Sequence, residues 1–123
     1  METCKMNDNK SCAYRLLATR DALEVIQGKW RVPIIISLSF GSKRFSEIKR
    51  DIADISPKML SKELKELETN QLIFRNQFDT MPVVVEYSLT PLGQSTRGLL
   101  EELLKWGISF RQELMKKTGT EAQ

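Results

Sequence analysis

Two dipeptides, Ser56-Pro57 and Thr90-Pro91, do most to limit how this chain can fold. Each places a side-chain oxygen acceptor directly before a proline. That is a helix start signal: an N-cap, then a residue whose φ is already helical and whose missing N–H is not needed there. One helix is therefore predicted from Pro57 to about Asn70, where an asparagine suits the C-terminal stop. Another is predicted from Pro91 to about Lys117, with Lys116 and Lys117 in the last turn, where the macrodipole favours cations. Between these helices the period changes. Val83, Val85, Tyr87 and Leu89 alternate against Glu86 and Ser88, as in a strand. Residues 72–78 form its predicted partner, with Asp79-Thr80-Met81-Pro82 as the hairpin tip.

The first half of the chain reads as helices. Leu16, Leu17, Leu23 and Ile26 predict a helix over 14–27, ended by Gly28. Trp30 to Phe40 is apolar without alternation, which suits a buried helix that tolerates Pro33 in its first turn. Phe45, Ile48 and Ile52 share one face of a short helix, with Ser46 as its expected N-cap. A turn at 53–55 leads to Ser56. Four helices, a hairpin and a final helix is the order of a winged helix-turn-helix. The expected fold class is mainly α with a small β-hairpin (α+β), with N- and C-terminal helices added for dimerisation. One domain is expected over 14–117, with flexible segments at 1–13 and 118–123.

Composition narrows the chemistry. The chain has no histidine, so Ser-His-Asp and Cys-His catalysis and histidine metal ligation are excluded. Cys4 and Cys12 are too few for a structural zinc site. Gly41-Ser42-Lys43 lacks the upstream glycine of a phosphate-binding loop. The expectation is no enzyme, no catalytic residue, no cofactor and no metal. No apolar run approaches the roughly 18 residues of a membrane span, and the polar start lacks the apolar stretch of a signal peptide. A cytoplasmic location and no membrane partner follow as expectations.

The net charge is only +3, but its placement is informative. Residues 42–65 hold seven cationic and four anionic side chains, a surplus of +3, while 1–41 and 66–123 sum to +2 and −2. The surplus therefore lies in the middle of the chain. At about 100° per residue, Leu64 and Leu67 fall about 40° and −20° from Leu60, one apolar face. Lys58, Ser61, Lys62 and Lys65 fall between about 100° and 200°, the opposite face. A basic outer face behind a short preceding helix is the pattern of a recognition helix. Its lysines can reach guanine acceptors or phosphates, and its serine can meet a base edge. Arg44, Ser46, Lys49, Ser56 and Arg75 complete the candidate DNA-binding set. The plain alternative for each is a solvated surface side chain.

The chain resembles the HxlR-type winged-helix regulators, relatives of the MarR group. The resemblance is carried by Gly28-Lys29-Trp30, Arg44-Phe45-Ser46-Glu47-Ile48, Ile55-Ser56-Pro57-Lys58-Met59-Leu60-Ser61, Leu64-Lys65-Glu66-Leu67-Glu68, Pro82 to Thr90 and Trp106-Gly107. It implies a homodimer that binds double-stranded DNA at a pseudo-palindromic operator. An interaction module that keeps the fold without binding DNA is the alternative. The family usually has glycine where Asp54 stands. Several members carry a redox-sensing cysteine closely upstream of Gly-Lys-Trp; the candidate redox sensor here, Cys12, departs from that spacing, lying 17 residues before Lys29, and a small buried thiol is the other reading. An inducer, whether small molecule or oxidant, stays open.

The long last helix carries two apolar stripes. Leu92, Leu99, Leu103, Trp106, Phe110 and Leu114 form one, and Leu100, Leu104 and Ile108 the other. Packing on its own domain needs one face. Leu99, Leu103, Trp106, Phe110 and Leu114, with Leu16 and Leu23 of the first helix, are therefore the expected dimer interface.

Overall fold

The computed structural model describes residues 9–117. The elements are α1 (Asn9–Ile26), α2 (Arg31–Leu38), α3 (Phe45–Asp51), α4 (Pro57–Thr69), β1 (Ile73–Phe78), β2 (Val84–Leu89), α5 (Pro91–Gln94) and α6 (Arg97–Lys117). This is the expected winged helix-turn-helix order. Residues 9–13 of the expected flexible segment are helical, because α1 starts five residues early. The rest of that segment, and the expected tail 118–123, lie outside the described residues.

The core is a single aliphatic cluster. Ile34, Ile35 and Leu38 of α2 meet Ile48 of α3, Leu60, Leu64 and Leu67 of α4, and Ile55, Leu72 and Ile73 from the connections and β1. Helical spacing puts the three leucines of α4 on one side, and all three are buried. Burying each such side chain is worth about 1.5–3 kcal/mol, so this face fixes the orientation of α4.

Both proline signals form caps. Ser56 Oγ accepts a hydrogen bond from Met59 N at 3.1 Å, and Thr90 Oγ1 accepts one from Gly93 N at 2.9 Å. The first helix of the pair, α4, ends at Asn70 in an ordinary conformation, and the left-handed position falls one residue later, at Gln71 (φ 64°). Among the described residues no other non-glycine has a positive φ, so Asp54 fits its turn without needing glycine.

Two local expectations are corrected. Ser46 is not the N-cap of α3; that position is Arg44, whose backbone N–H donates to Glu47 Oε1 at 2.8 Å. A carboxylate reaching back from the third helical position satisfies the N–H of the N-cap residue, the glutamate half of a capping box. The last helix is not continuous from Pro91. It breaks after Gln94, and Ser95 and Thr96 turn the chain into α6. The wing also has a third short contributor: Lys43 forms an isolated antiparallel bridge with Tyr87. The hairpin itself pairs Ile73 with Leu89 through to Phe78 with Val84.

Candidate nucleic-acid interface

Burial of Leu60, Leu64 and Leu67 leaves the opposite side of α4 to solvent. Lys58, Ser61, Lys62 and Lys65 are all exposed there. None of the three lysines makes a hydrogen bond or ion pair among the described residues. Their ammonium groups therefore keep all donors for an outside acceptor. A turn through Ile52–Ile55, with Ile55 buried and its N–H bonded to Ile52 O at 3.2 Å, sets α4 behind α3.

The remaining candidates divide into two groups. Arg44 and Ser46 are exposed at the start of α3, and Arg75 is exposed on β1 across from Tyr87. These lie on the elements that flank α4. Lys49 is half-buried and donates to Ala53 O at 3.3 Å, so it also braces the turn before α4. Ser56 spends its acceptor on the α4 cap. Lys43, one of the cations behind the local surplus, is engaged with Asp51 and Ser37. Arg50, exposed beside Lys49 at the end of α3, is a cation that the wheel of α4 could not bring in; its signal is its place in the last turn of the preceding helix. The wing tip, which contains Asp79, has no lysine or arginine between Asn76 and Val85.

Among the described residues, Asp51 is the titratable group with a resolved shift. Its carboxyl sits below its ordinary value because Lys43 and Ser37 donate to it, with Lys43 and Arg50 adding favourable charge. Among the described residues there is no group of three metal-ligating side chains, and no helix is long and apolar enough to cross a membrane.

The expected dimer residues all lie on solvent-exposed faces of α1 and α6. Leu16 and Leu23 are 64% and 58% exposed, and Leu99, Leu103, Trp106, Phe110 and Leu114 range from 47% to 65%. No residue of α6 is buried. Cys12, near the start of α1, is half-buried and disulfide-bonded, so the reading of it as a small buried thiol does not hold. Cys4 lies outside the described residues.

An exposed basic helix positioned by a tri-helical core, with a two-stranded wing beside it, defines a winged helix-turn-helix DNA-binding regulator. The HxlR-like helix-turn-helix family model matches residues 25–115. The chain belongs to that family. It is 46% identical over 90 residues to YkvN, an uncharacterized HTH-type transcriptional regulator of Bacillus subtilis (strain 168), covering 73% of this chain and 76% of the relative. It is 42% identical over 93 residues to YtcD of the same organism, also an HTH-type transcriptional regulator, covering 76% and 74%. Among solved structures, the redox regulator HypR in its reduced form superposes with a TM-score of 0.74 at 33% identity, covering 80% of this chain and 98% of that one. The relatives are transcriptional regulators, and this chain is a DNA-binding regulator and not an enzyme.

Proposed function

We propose that the chain acts in the cytoplasm as a homodimer that reads a pseudo-palindromic operator through α4, with the wing contacting the flanking backbone. The observation that carries the DNA contact is the set of unpaired, exposed Lys58, Lys62 and Lys65 with Ser61 between them, directly opposite the buried leucines of α4. Three exposed cations whose donors are unused within the chain suit an anionic partner, and their place on the outer face of α4 favours DNA. Arg75 on β1 and Arg44 and Ser46 at the start of α3 suit phosphate contacts, which fix register without reading sequence.

Exposed apolar surface supports the dimer. Neither α1 nor α6 packs extensively on another element. Between α2 and α6 opens a groove of about 800 Å³, walled by Val32, Ile36, Phe40, Leu100 and Leu104. Exposed apolar surface of this extent marks an interaction site. A two-fold pair would set its recognition helices about 34 Å apart, one turn of DNA.

Cys12 stands as the candidate redox sensor, because it is disulfide-bonded and HypR is a redox regulator. If so, oxidant changes operator affinity in the wild type and leaves Cys12→Ser unaffected; an equal response in both removes Cys12 from the sensing role.

The direct test is selection of duplexes from a randomised pool, followed by gel-shift titration of the enriched duplex. Enrichment of a sequence with two-fold symmetry is expected. No enrichment, with the protein folded, favours the interaction-module alternative.

A further inference from the structure

Arg31 touches two helices at once. Its Nε donates to Glu63 Oε1 on α4 at 2.8 Å, and its Nη1 donates to Glu24 O at 2.8 Å and Val25 O at 3.4 Å in the last turn of α1. Its Nη2 stands 4.0 Å from Glu66, one turn further along α4. The Arg31 and Glu63 side chains are only 17% and 13% exposed, so the pair is shielded from solvent.

Each end of this contact answers a local need. The last carbonyls of a helix have no partner within it and carry partial negative charge. The last turn of α1 contains no basic residue of its own. Arg31, from the next helix, supplies the missing cation and donors. On the other side, Glu63 lies beside Lys62 on α4 but points inward to Arg31. The guanidinium places separate nitrogens on the carboxylate and on the carbonyls, whereas a lysine must serve both from a single nitrogen.

We infer that Arg31 is a positioning residue for DNA reading, fastening the recognition helix α4 to the end of α1 through Glu63. The angle at which Lys58, Lys62 and Lys65 are presented is then set from the α1 side, and a shift of α1 reaches the DNA face through this contact. The inference rests on α4 being the reading helix.

Arg31→Lys tests it, because charge is kept and the bridge is lost. The probes are the duplex enriched by the wild type and a scrambled duplex of the same length. Affinity for the enriched duplex is expected to fall at least about tenfold, the scale of a lost hydrogen bond to a charged group. Affinity for the scrambled duplex and its salt dependence should not move, since no charge changes. Combining Arg31→Lys with Glu63→Gln should be no worse than the weaker single variant. Ile35→Val, a core change one turn along α2 that leaves the Arg31 and Glu63 side chains in place, should keep the ratio of the two affinities. If Arg31→Lys folds poorly, Glu63→Gln alone carries the test, since it leaves the α1 contact intact. A ratio unchanged by both variants overturns the inference, as does an equal loss in Ile35→Val. Failure of the reading beneath it looks different: the wild type then enriches no duplex, or tripling Lys58, Lys62 and Lys65 to Ala leaves the enriched duplex bound.

Discussion

Lys43 and Tyr87 exchange both backbone hydrogen bonds, Lys43 N to Tyr87 O at 2.9 Å and Tyr87 N to Lys43 O at 2.8 Å. The loop ahead of α3 is thereby stitched to β2. The Lys43 ammonium pairs with Asp51 at the end of α3, and Asp51 also accepts from Ser37 Oγ of α2 at 2.7 Å. Wing, α3 and α2 thus converge on one carboxylate. Asp51 is 41% exposed, so water screens the pair and its larger role is geometric. It ties the loop paired with the wing to the helices that carry the proposed DNA contacts.

That carboxylate gives a pH prediction. Asp51 is held below its ordinary value mainly by the Lys43 and Ser37 hydrogen bonds. The native state therefore binds the proton less tightly than the unfolded chain. The stabilisation is complete above about pH 5, where the unfolded carboxylate is also ionised, and is lost as pH falls through the lowered value. Urea titrations of wild type and Asp51→Asn should differ at pH 7 and draw together as pH falls through the lowered carboxyl value. A constant difference over that range would remove Asp51 from the account.

Gly93 sits where no side chain fits. A Cβ there would lie 2.2 Å from Leu72 O and 3.1 Å from Leu89 Cδ2. The first obstacle is backbone at the α4–β1 connection and cannot swing away. Gly93→Ala should therefore cost about 3 kcal/mol or more, the upper end for overpacking. Thr90→Val, which removes the donor to Gln71 O at 2.7 Å and the cap on Gly93 N, should cost about 1–2 kcal/mol. Chemical denaturation measures both; an unchanged midpoint for Gly93→Ala contradicts the close approach.

Local signals made most of the fold legible. Ser56-Pro57 marks the start of α4, and Leu60, Leu64 and Leu67 orient it; both depend only on neighbours in sequence. The alternation ending at Leu89 marks β2 for the same reason. What escaped depends on partners distant in sequence. The break between α5 and α6 follows directly on Gly93, which packs closely against Leu72 O, although two cap-forming residues, Ser95 and Thr96, stood there as a signal. Arg44 displaces Ser46 as N-cap because Glu47 reaches back to it. Pairing of Lys43 with Asp51, and of Arg31 with Glu63, is invisible to periodicity. The basic face of α4 was legible because a helix wheel needs only the apolar side to be known. Lys43 shows the limit of counting charge, since it adds to the local surplus while its ammonium is already engaged.

The three lysines of α4 should separate by role. If Lys62 reads a base, Lys62→Ala should weaken binding to the enriched duplex by about 1–3 kcal/mol and relax preference at one position. If it meets only phosphate, binding should weaken about equally on all sequences, with the salt slope reduced by about one. Arg75→Ala on the wing is expected to follow the second pattern, a uniform loss without change of preference. Titrations against enriched and scrambled duplexes at two salt concentrations distinguish these outcomes.

The dimer prediction rests on α6. Trp106 and Phe110 stack with ring centroids 5.1 Å apart, yet Trp106 is 65% and Phe110 47% exposed in the single chain. With Leu99, Leu103 and Leu114 they line one face of a helix that buries no residue of its own. A second copy is the simplest cover, with Leu16 and Leu23 of α1 beside it. Leu103→Asp or Phe110→Asp leaves the core Ile34–Ile73 cluster untouched, so the monomer should keep its helical content and thermal transition of the winged domain. Each dimer would then bury two unpaired carboxylates, at about 3–5 kcal/mol apiece. A micromolar dimer is held by only about 8 kcal/mol, so the variants should sediment as monomers and lose the enriched duplex although α4 is unaltered. Wild type at micromolar concentration should sediment at twice the chain mass of 14.2 kDa. A wild-type monomer that still binds the symmetric duplex with full affinity would refute the dimer.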